Sequence, residues 1–428
     1  MAQLVWLRRN LRLDDNLPLF KALQSSEKVQ LVFILDTDIL SRFPNTCNRR
    51  VQFIKNALCQ INDKLQEFGG GLLVLEGCAA ELIPKIAKEM GATKIFADED
   101  YEPAHIKRDN EVRKALEGIA ELELYCDHLI FHPKDIVKSD GGIYKVYTPY
   151  MKVFRAQVSR NRYLKYESLK MCAGKIASFE SRYHHNIVHD DLWGVVAAHE
   201  ICDRFVAHKM QEYKEKRDYL ADNGTSRISP YLRFGLISIR ELFRKAYDAN
   251  NSFAWINELI WREFYTAILY HFPHTANSEF NSKYASIPWS RDVDLLHRIT
   301  NAETGYPIID AAITQLLTEG WMHNRARMIV ASFWTKNLFL DWRLGEEFFA
   351  QHLMDYELSS NVGGWQWAAS CGTDAQPYFR VFNSMLQAQK FDPDGEYVKR
   401  YIGDREAFEQ IVDYSVTRAK AIAIFKNT

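Results

Sequence analysis

No uninterrupted apolar run of about 18 residues occurs in this 428-residue chain, so no segment reads as a membrane-spanning helix. The opening residues, Met1 to Arg9, run apolar first and basic second, the reverse of a secretory leader, and none is expected. Cysteine is sparse and unpatterned: Cys47, Cys59, Cys78, Cys126, Cys172, Cys202 and Cys371 are odd in number and never spaced Cys-x-x-Cys. This argues against a disulfide framework and a cysteine metal site, and for a reduced, cytoplasmic protein without a metal. There is no Gly-x-Gly-x-x-Gly after the first apolar run, and Gly69-Gly70-Gly71 precedes a strand, where it makes a turn. A dinucleotide held in the usual Rossmann manner is therefore disfavoured. Gly-x-Ser-x-Gly, Walker and His-Glu-x-x-His strings are also missing, and with them the commonest hydrolase, nucleotidase and metalloprotease signatures.

Charge of one sign is lacking too, with a formal net charge of −1. Only Lys134 to Lys175 is locally basic, ten Lys/Arg against three acids, which reads first as a solvated connector and second as a face for a polyanion. Tryptophan, by contrast, is abundant and concentrated. Eight of the ten fall between Trp255 and Trp367. Such a cluster suits either a large helical core or a planar redox cofactor packed among indoles.

The first 130 residues alternate apolar runs (Leu4–Leu7, Leu31–Leu35, Leu72–Leu75, Lys94–Ala97, Leu122–Tyr125) with helical periodicity over Arg49–Phe68, Ala79–Met90 and His105–Glu117. That alternation predicts an α/β domain with a Rossmann-like parallel sheet over 1–130. Residues 131–195 read as a connector. From 196 to 428 the pattern is almost wholly helical, with helices expected over Ala197–Tyr219, Pro230–Asn250, Phe253–Phe272, Pro307–Glu319, Asn324–Phe339, Gly345–Met354 and Asp404–Lys426.

Three strings carry chemistry. Gly224-Thr225-Ser226-Arg227-Ile228-Ser229-Pro230 sets hydroxyls ahead of a helical run, fit for phosphate or for an ordinary N-cap. Glu258, Trp261, Arg262 and Tyr265 share one helix face, as a polar pocket over an aromatic floor or as a seam with an i,i+4 ion pair. Asn324, Arg327 and Met328 share another, with an adaptable thioether. His323, without a triad or metal partner nearby, reads as a satisfied histidine.

In this order, and with Trp6–Asn16, Gly305–Asp310 and Asn361–Phe382, these strings resemble the photolyase/cryptochrome family of flavoproteins over essentially the whole chain. Within the family the likeness is to bacterial class I cyclobutane pyrimidine dimer photolyases. The resemblance implies an antenna-type α/β domain, and FAD in a U shape within an all-α FAD-binding domain. Tyr213, Thr225, Ser226, Arg227, Ile228 and Ser229 would hold its phosphates and ribityl chain, and Trp255 and Arg262 would also contact it. Asp355, Tyr356 and Glu357 would meet its ring and ribose, with Arg327 pairing Asp355. Asn361 would face flavin N5, and Trp365, Trp342 and Trp289 would relay electrons to the flavin from the surface.

The implied activity is light-dependent repair of UV-damaged DNA. A flipped-out pyrimidine dimer would be split by an electron from photoexcited, fully reduced FAD. Glu258, Asn324, Met328 and Asn361 would carry the catalysis. Trp261, Tyr265 and Trp367 would line the dimer pocket, and Arg217, Arg262, Arg325, Arg380 and Gln387, with Lys390 more remotely, would meet DNA. Asn324 with Met328 matches the dimer-repair pattern. Histidine at both positions would indicate six–four repair. A cryptochrome-type blue-light receptor, signalling to protein partners, is the alternative. The expected state is a monomer. Three departures stand out: Glu357 replaces an aspartate, a family loop that usually contains Pro and Trp is missing after Phe391–Tyr397, and Ala104-His105 replaces the acidic position of folate-antenna relatives, leaving any antenna chromophore unidentified.

Overall fold

The computed structural model describes residues 2–25, 28–41, 48–178, 193–194, 198–249, 252–403, 405–406 and 408–428. Cys47, Ala197, Asn250 and Asp404, named above, lie outside the described residues. The chain forms two compact units that alternate along the sequence. One comprises 1–136, 155–208 and 226–250, and the other 137–154, 209–225 and 251–428.

The first unit is built on five parallel strands: β1 (Gln3–Leu7), β2 (Val29–Asp36), β3 (Leu72–Gly77), β4 (Lys94–Asp98) and β5 (Glu121–Tyr125). They are ordered β3-β2-β1-β4-β5, the layout of a doubly wound sheet. Leu4, Trp6, Val32, Ile34 and Ile95 pack with Ile83, Ile86 and Val112 of the helices Ala79–Met90 and Pro103–Ala115. Those two helices agree with the expected ranges, one of them to the residue.

The Trp6–Asn16 string is structural in this unit. Asn16 Nδ2 donates to the carbonyls of Asn10 (3.2 Å) and Arg12 (2.9 Å). Its Oδ1 accepts from Leu19 N at 3.0 Å, at the start of the helix Leu17–Ser25. Arg12 pairs with Asp127 at 2.5 Å, while Arg240 reaches both Asp127 (2.7 Å) and Asp15 (2.9 Å), all buried. Burial pushes the Asp15 carboxyl up, but Arg240 and Arg12 overcome it and hold it at about 2.

The expected helix Pro230–Asn250 is two helices, Ser229–Arg233 and Ile239–Tyr247. Gly235 breaks it at φ +70°, where a side chain would run into the backbone of Arg9 and Asn10.

The second unit is mostly helical: Phe253–His271, Val293–Thr300, Pro307–Glu319, Asn324–Ser332, Trp342–His352, Leu358–Ala369, Ser384–Phe391, Glu396–Ile402 and Tyr414–Asn427. Its core gathers Trp334, Trp342, Trp365, Phe333, Phe349 and the aliphatic face of Pro307–Glu319. Pro307 starts that helix and Gly320, left-handed at φ +66°, ends it. The expected helix Asn324–Phe339 changes at Phe333–Asn337 to a π-turn, in which Lys336 is fully buried. Lys336 Nζ donates to the Ala369 carbonyl at 3.2 Å, and burial pulls its pKa down to about 7. The connector is more ordered than its sequence suggested, because Tyr147–Gln157 is helical. Among the described residues no helix is long and apolar enough to cross a membrane.

Candidate functional site

The second unit encloses a cavity of ≈ 430 Å³, within the usual size range of about 300–1,000 Å³ for ligand sites. Its walls come from four segments far apart in sequence. The helix Phe253–His271 contributes Glu258, Trp261, Arg262 and Tyr265, the face that spacing predicted. The helix Asn324–Ser332 contributes Asn324, Arg325, Arg327 and Met328, with Asn324 Nδ2 3.8 Å from Met328 Sδ. Asp355, Tyr356 and Glu357 lead into the helix Leu358–Ala369, which adds Asn361, Trp365 and Trp367. Tyr213, Arg217 and Thr225 complete the wall.

Glycines let these helices close. A Cβ on Gly363 would strike the Tyr265 ring, and one on Gly345 the Trp365 indole. Gly364 differs: it lines the cavity, and a Cβ there would meet nothing within 4 Å. It keeps that wall flat.

Ion pairs set the polarity. Arg327 Nη2 donates to both carboxylate oxygens of Asp355 (3.1 and 2.9 Å), while its Nε donates to the Met322 carbonyl at 2.8 Å. Arg262 forks onto Glu357 at 2.9 and 3.0 Å. The i,i+4 pair of Glu258 with Arg262 does not form. Glu258 instead pairs with Arg217, which approaches from another segment. Burial raises the Glu258 carboxyl above the ordinary range, with Arg217 pulling the other way. Arg325 pairs with Asp218 at 2.9 Å.

Asn361, which lines the cavity, donates from Nδ2 to the carbonyl and the Oε1 of Glu346, both at 3.0 Å. His323 is the N-cap of the helix Asn324–Ser332, its Nδ1 accepting from Arg325 N at 3.1 Å. Burial pulls its pKa down to about 4 and keeps it neutral. Its sequence context suggested a satisfied histidine, and that is half right: Nδ1 is engaged, but among the described residues Nε2 is buried without a partner.

Ten expected residues lie elsewhere. Ser226, Arg227, Ile228 and Ser229 belong to the first unit, where Ser226 Oγ accepts from Ile228 N at 3.4 Å. Trp255 is buried in its helix, away from the cavity lining. Trp342 is buried and Trp289 half-buried, both outside the cavity lining; Arg380 and Lys390 are exposed, and Gln387 is half-buried.

Sequence reasoning missed Asp218, Ala331, Phe349, Leu353, Ser360 and Gly364 in the lining. It also missed two supporting side chains. One is Glu346, behind Asn361. The other is Tyr147, stacked on Trp261 at 3.6 Å and 6°, with its hydroxyl donating to the Asn257 carbonyl. Neither carried a local signal: Tyr147 sits in the basic connector, and Glu346 bonds Asn361 across two helices.

A doubly wound sheet unit and a helical unit whose cavity joins aromatic walls to guanidinium–carboxylate forks mark a two-unit α/β and α protein with a ligand-sized site in its helical unit. Residues 3–168 match the family model described as DNA photolyase, and 255–423 the one described as FAD binding domain of DNA photolyase. The chain is 38% identical to the deoxyribodipyrimidine photo-lyase of a Synechococcus strain, over 93% of this chain and 87% of that protein. A class III photolyase from Agrobacterium tumefaciens matches at TM-score 0.89 and 27% identity, covering 100% of this chain and 97% of that one. A Synechocystis cryptochrome matches at TM-score 0.88 and 25% identity, covering 99% of each. The chain belongs to the photolyase/cryptochrome family and carries that family's FAD-binding domain.

Proposed function

We propose that this chain is a deoxyribodipyrimidine photo-lyase, binding UV-damaged DNA and splitting cyclobutane pyrimidine dimers in light. The observation that supports this reading most is one cavity holding both sets of residues: Asn361 and the Arg327–Asp355 fork on the cofactor side, Glu258, Trp261, Asn324, Met328 and Trp367 on the substrate side. When bound and reduced, FAD provides light-driven transfer of a single electron, lent to the dimer and recovered.

The chain's residues do the rest. Trp261, braced from behind by Tyr147, presents a rigid indole for an unstacked base pair to lie on, and Trp367 offers a second. Asn324 would donate from Nδ2 to a dimer carbonyl, where negative charge grows, and accept at Oδ1 from an imide N–H. Glu258 stands beside it, its carboxyl raised by burial and pulled back by Arg217, and would hydrogen-bond the same edge of the dimer. Met328 fills the uneven space between.

Asn361, held by Glu346 through its amide nitrogen, would face the ring nitrogen of FAD and help stabilise the reduced state. Tyr213, Thr225, Arg262, Tyr356 and Glu357 would hold the rest of the cofactor, and Ser226–Ser229 its phosphates. Trp255, two turns from Arg262 on the same helix, would contact it as well. Trp365, Trp342 and Trp289 would refill it with electrons. Arg217, Arg325, Arg380, Gln387 and Tyr265 complete the DNA side. The same reading makes the protein a cytoplasmic monomer.

The test is irradiation of a thymine-dimer oligonucleotide with the fully reduced, FAD-loaded protein under anaerobic conditions. Thymine absorbance returns. If it does not, the blue-light receptor is the better reading, which the cryptochrome's close match in fold already makes concrete.

A further inference from the structure

The two outer tryptophans of the expected relay are joined by a carboxylate. Glu279 Oε1 accepts from Trp342 Nε1 at 3.1 Å and from Trp289 Nε1 at 3.3 Å. Its Oε2 accepts from Arg343 Nη2 at 2.8 Å, and the side chain is 4% exposed. Burial opposes the charge, yet Arg343 and the Trp342 N–H hold the carboxyl below its ordinary range, so it is ionised near neutrality. The inner tryptophan is treated differently. Among the described residues, Trp365 Nε1 is buried without an acceptor. A fourth indole, Trp334, stands edge-on to Trp365 at 5.6 Å, is wholly buried, and donates to the neutral Asp341 carbonyl at 3.1 Å.

From this pattern we propose that Glu279 is a positioning and charge-stabilising residue for photoreduction, drawing the electron vacancy left on Trp365 outward through Trp342 to Trp289 and away from Trp334. The proposal rests on the relay reading of Trp365, Trp342 and Trp289.

An indole that has lost an electron carries a full positive charge, and its N–H becomes a far stronger donor. An ionised acceptor at that N–H stabilises it more than a carbonyl does, and far more than no acceptor at all. Only Trp342 and Trp289, of these four indoles, point their N–H at an ionised oxygen. Arg343 makes the need acute, because its guanidinium lies 4.6 Å over the Trp342 ring. A cation there suits a neutral indole and repels an oxidised one. Glu279 offsets that repulsion from the ring's edge, and the vacancy moves on to half-buried Trp289.

The electrons balance. One passes from Trp365 to the oxidised flavin of the FAD-binding domain, one from Trp342 to Trp365, and one from Trp289 to Trp342. A thiol reductant in solvent refills Trp289. No bond forms or breaks in these transfers, and Trp342 and Trp289, when oxidised, keep their N–H protons in the hydrogen bonds to Glu279.

The experiment compares full-length, FAD-bound wild type with Glu279→Gln, Glu279→Asp and Trp365→Phe, using dithiothreitol as the thiol. Blue-light reduction of the oxidised flavin and the lifetime of oxidised tryptophan, by transient absorption, are the readouts. Glutamine keeps the shape and an acceptor but loses the charge, so reduction slows and the lifetime shortens by about tenfold, the difference between a charged and a neutral hydrogen bond. Aspartate recovers most of both, and all Glu279 variants repair dimers normally once reduced chemically. A wild-type lifetime in Glu279→Gln, with reduction abolished in Trp365→Phe, would overturn the role of Glu279 and leave the relay standing. Equal losses in the glutamine and aspartate variants would overturn charge as the cause. Reduction that survives Trp365→Phe would overturn the relay and the proposal with it.

Discussion

Asn324 and Met328 occupy one turn of one helix and leave their polar tips to the cavity, so replacing the amide changes recognition with little effect on packing. Asn324→Ala is expected to weaken binding of a dimer-containing oligonucleotide about tenfold, near the loss of one or two hydrogen bonds. Bound yellow chromophore stays, as FAD absorbance of the purified variant would show. A colourless product would place Asn324 against the cofactor instead. Residues of this kind were legible in the sequence because three or four chemical side chains recurred at helical spacing, and because the ordered strings matched a family. The Glu258–Arg217, Arg262–Glu357 and Trp261–Tyr147 contacts were not legible. Their partners lie 41 to 114 positions apart in the chain, where spacing carries no information. Glu279 is hidden for a related reason: its indole donors lie 10 and 63 positions away, outside any single helical or strand period.

Among the elements, the helix Leu358–Ala369 went unrecognised although it carries Asn361, Trp365 and Trp367. Gly363-Gly364 in its centre disfavours a helix by up to about 1 kcal/mol each relative to alanine, and tertiary packing outweighs that. The glycines have different jobs, which substitution separates. At Gly345 alanine gains about 1 kcal/mol of helix propensity but forces a methyl into the buried Trp365 ring, where overpacking costs about 1–3 kcal/mol. Gly345→Ala therefore destabilises, as a lower urea midpoint, and retains less FAD. Gly364→Ala meets no atom within 4 Å and leaves the flavin-free midpoint unchanged or higher, while its methyl intrudes on bound FAD. A lower midpoint for Gly364→Ala would mean that this wall is not free. The strands and the helix Ala79–Met90 were legible because each is one apolar run or one clean amphipathic period bounded by turns. The break at Gly235 was not, since only the approach of Arg9 shows that its left-handed backbone is required.

Over the whole molecule, the Trp6–Asn16 string that helped point to a light-driven enzyme turns out to serve stability in the sheet unit. Arg12 and Arg240 neutralise Asp15 and Asp127 away from water. Arg240→Ala leaves buried carboxylates short of a partner and is expected to cost about 3–5 kcal/mol in urea unfolding. The pH dependence has a definite sign. With the Asp15 carboxyl held at about 2 against an ordinary 3.8, its stabilisation is full above the ordinary value and fades as pH falls toward 2. The unfolding midpoint of wild type should decline over that window, and that of Asp15→Asn should decline less.

The alternation of the two units along the chain bears on how the protein is made. Asp15 and Asp127 leave the ribosome early, but Arg240 follows more than 100 residues after Asp127. The five strands can pair before then, yet their buried acids gain this counter-charge only when translation has passed Arg240. A nascent chain halted near residue 195 would hold a sheet still lacking that arginine, and completion of the first unit is tied to synthesis past the midpoint of the message.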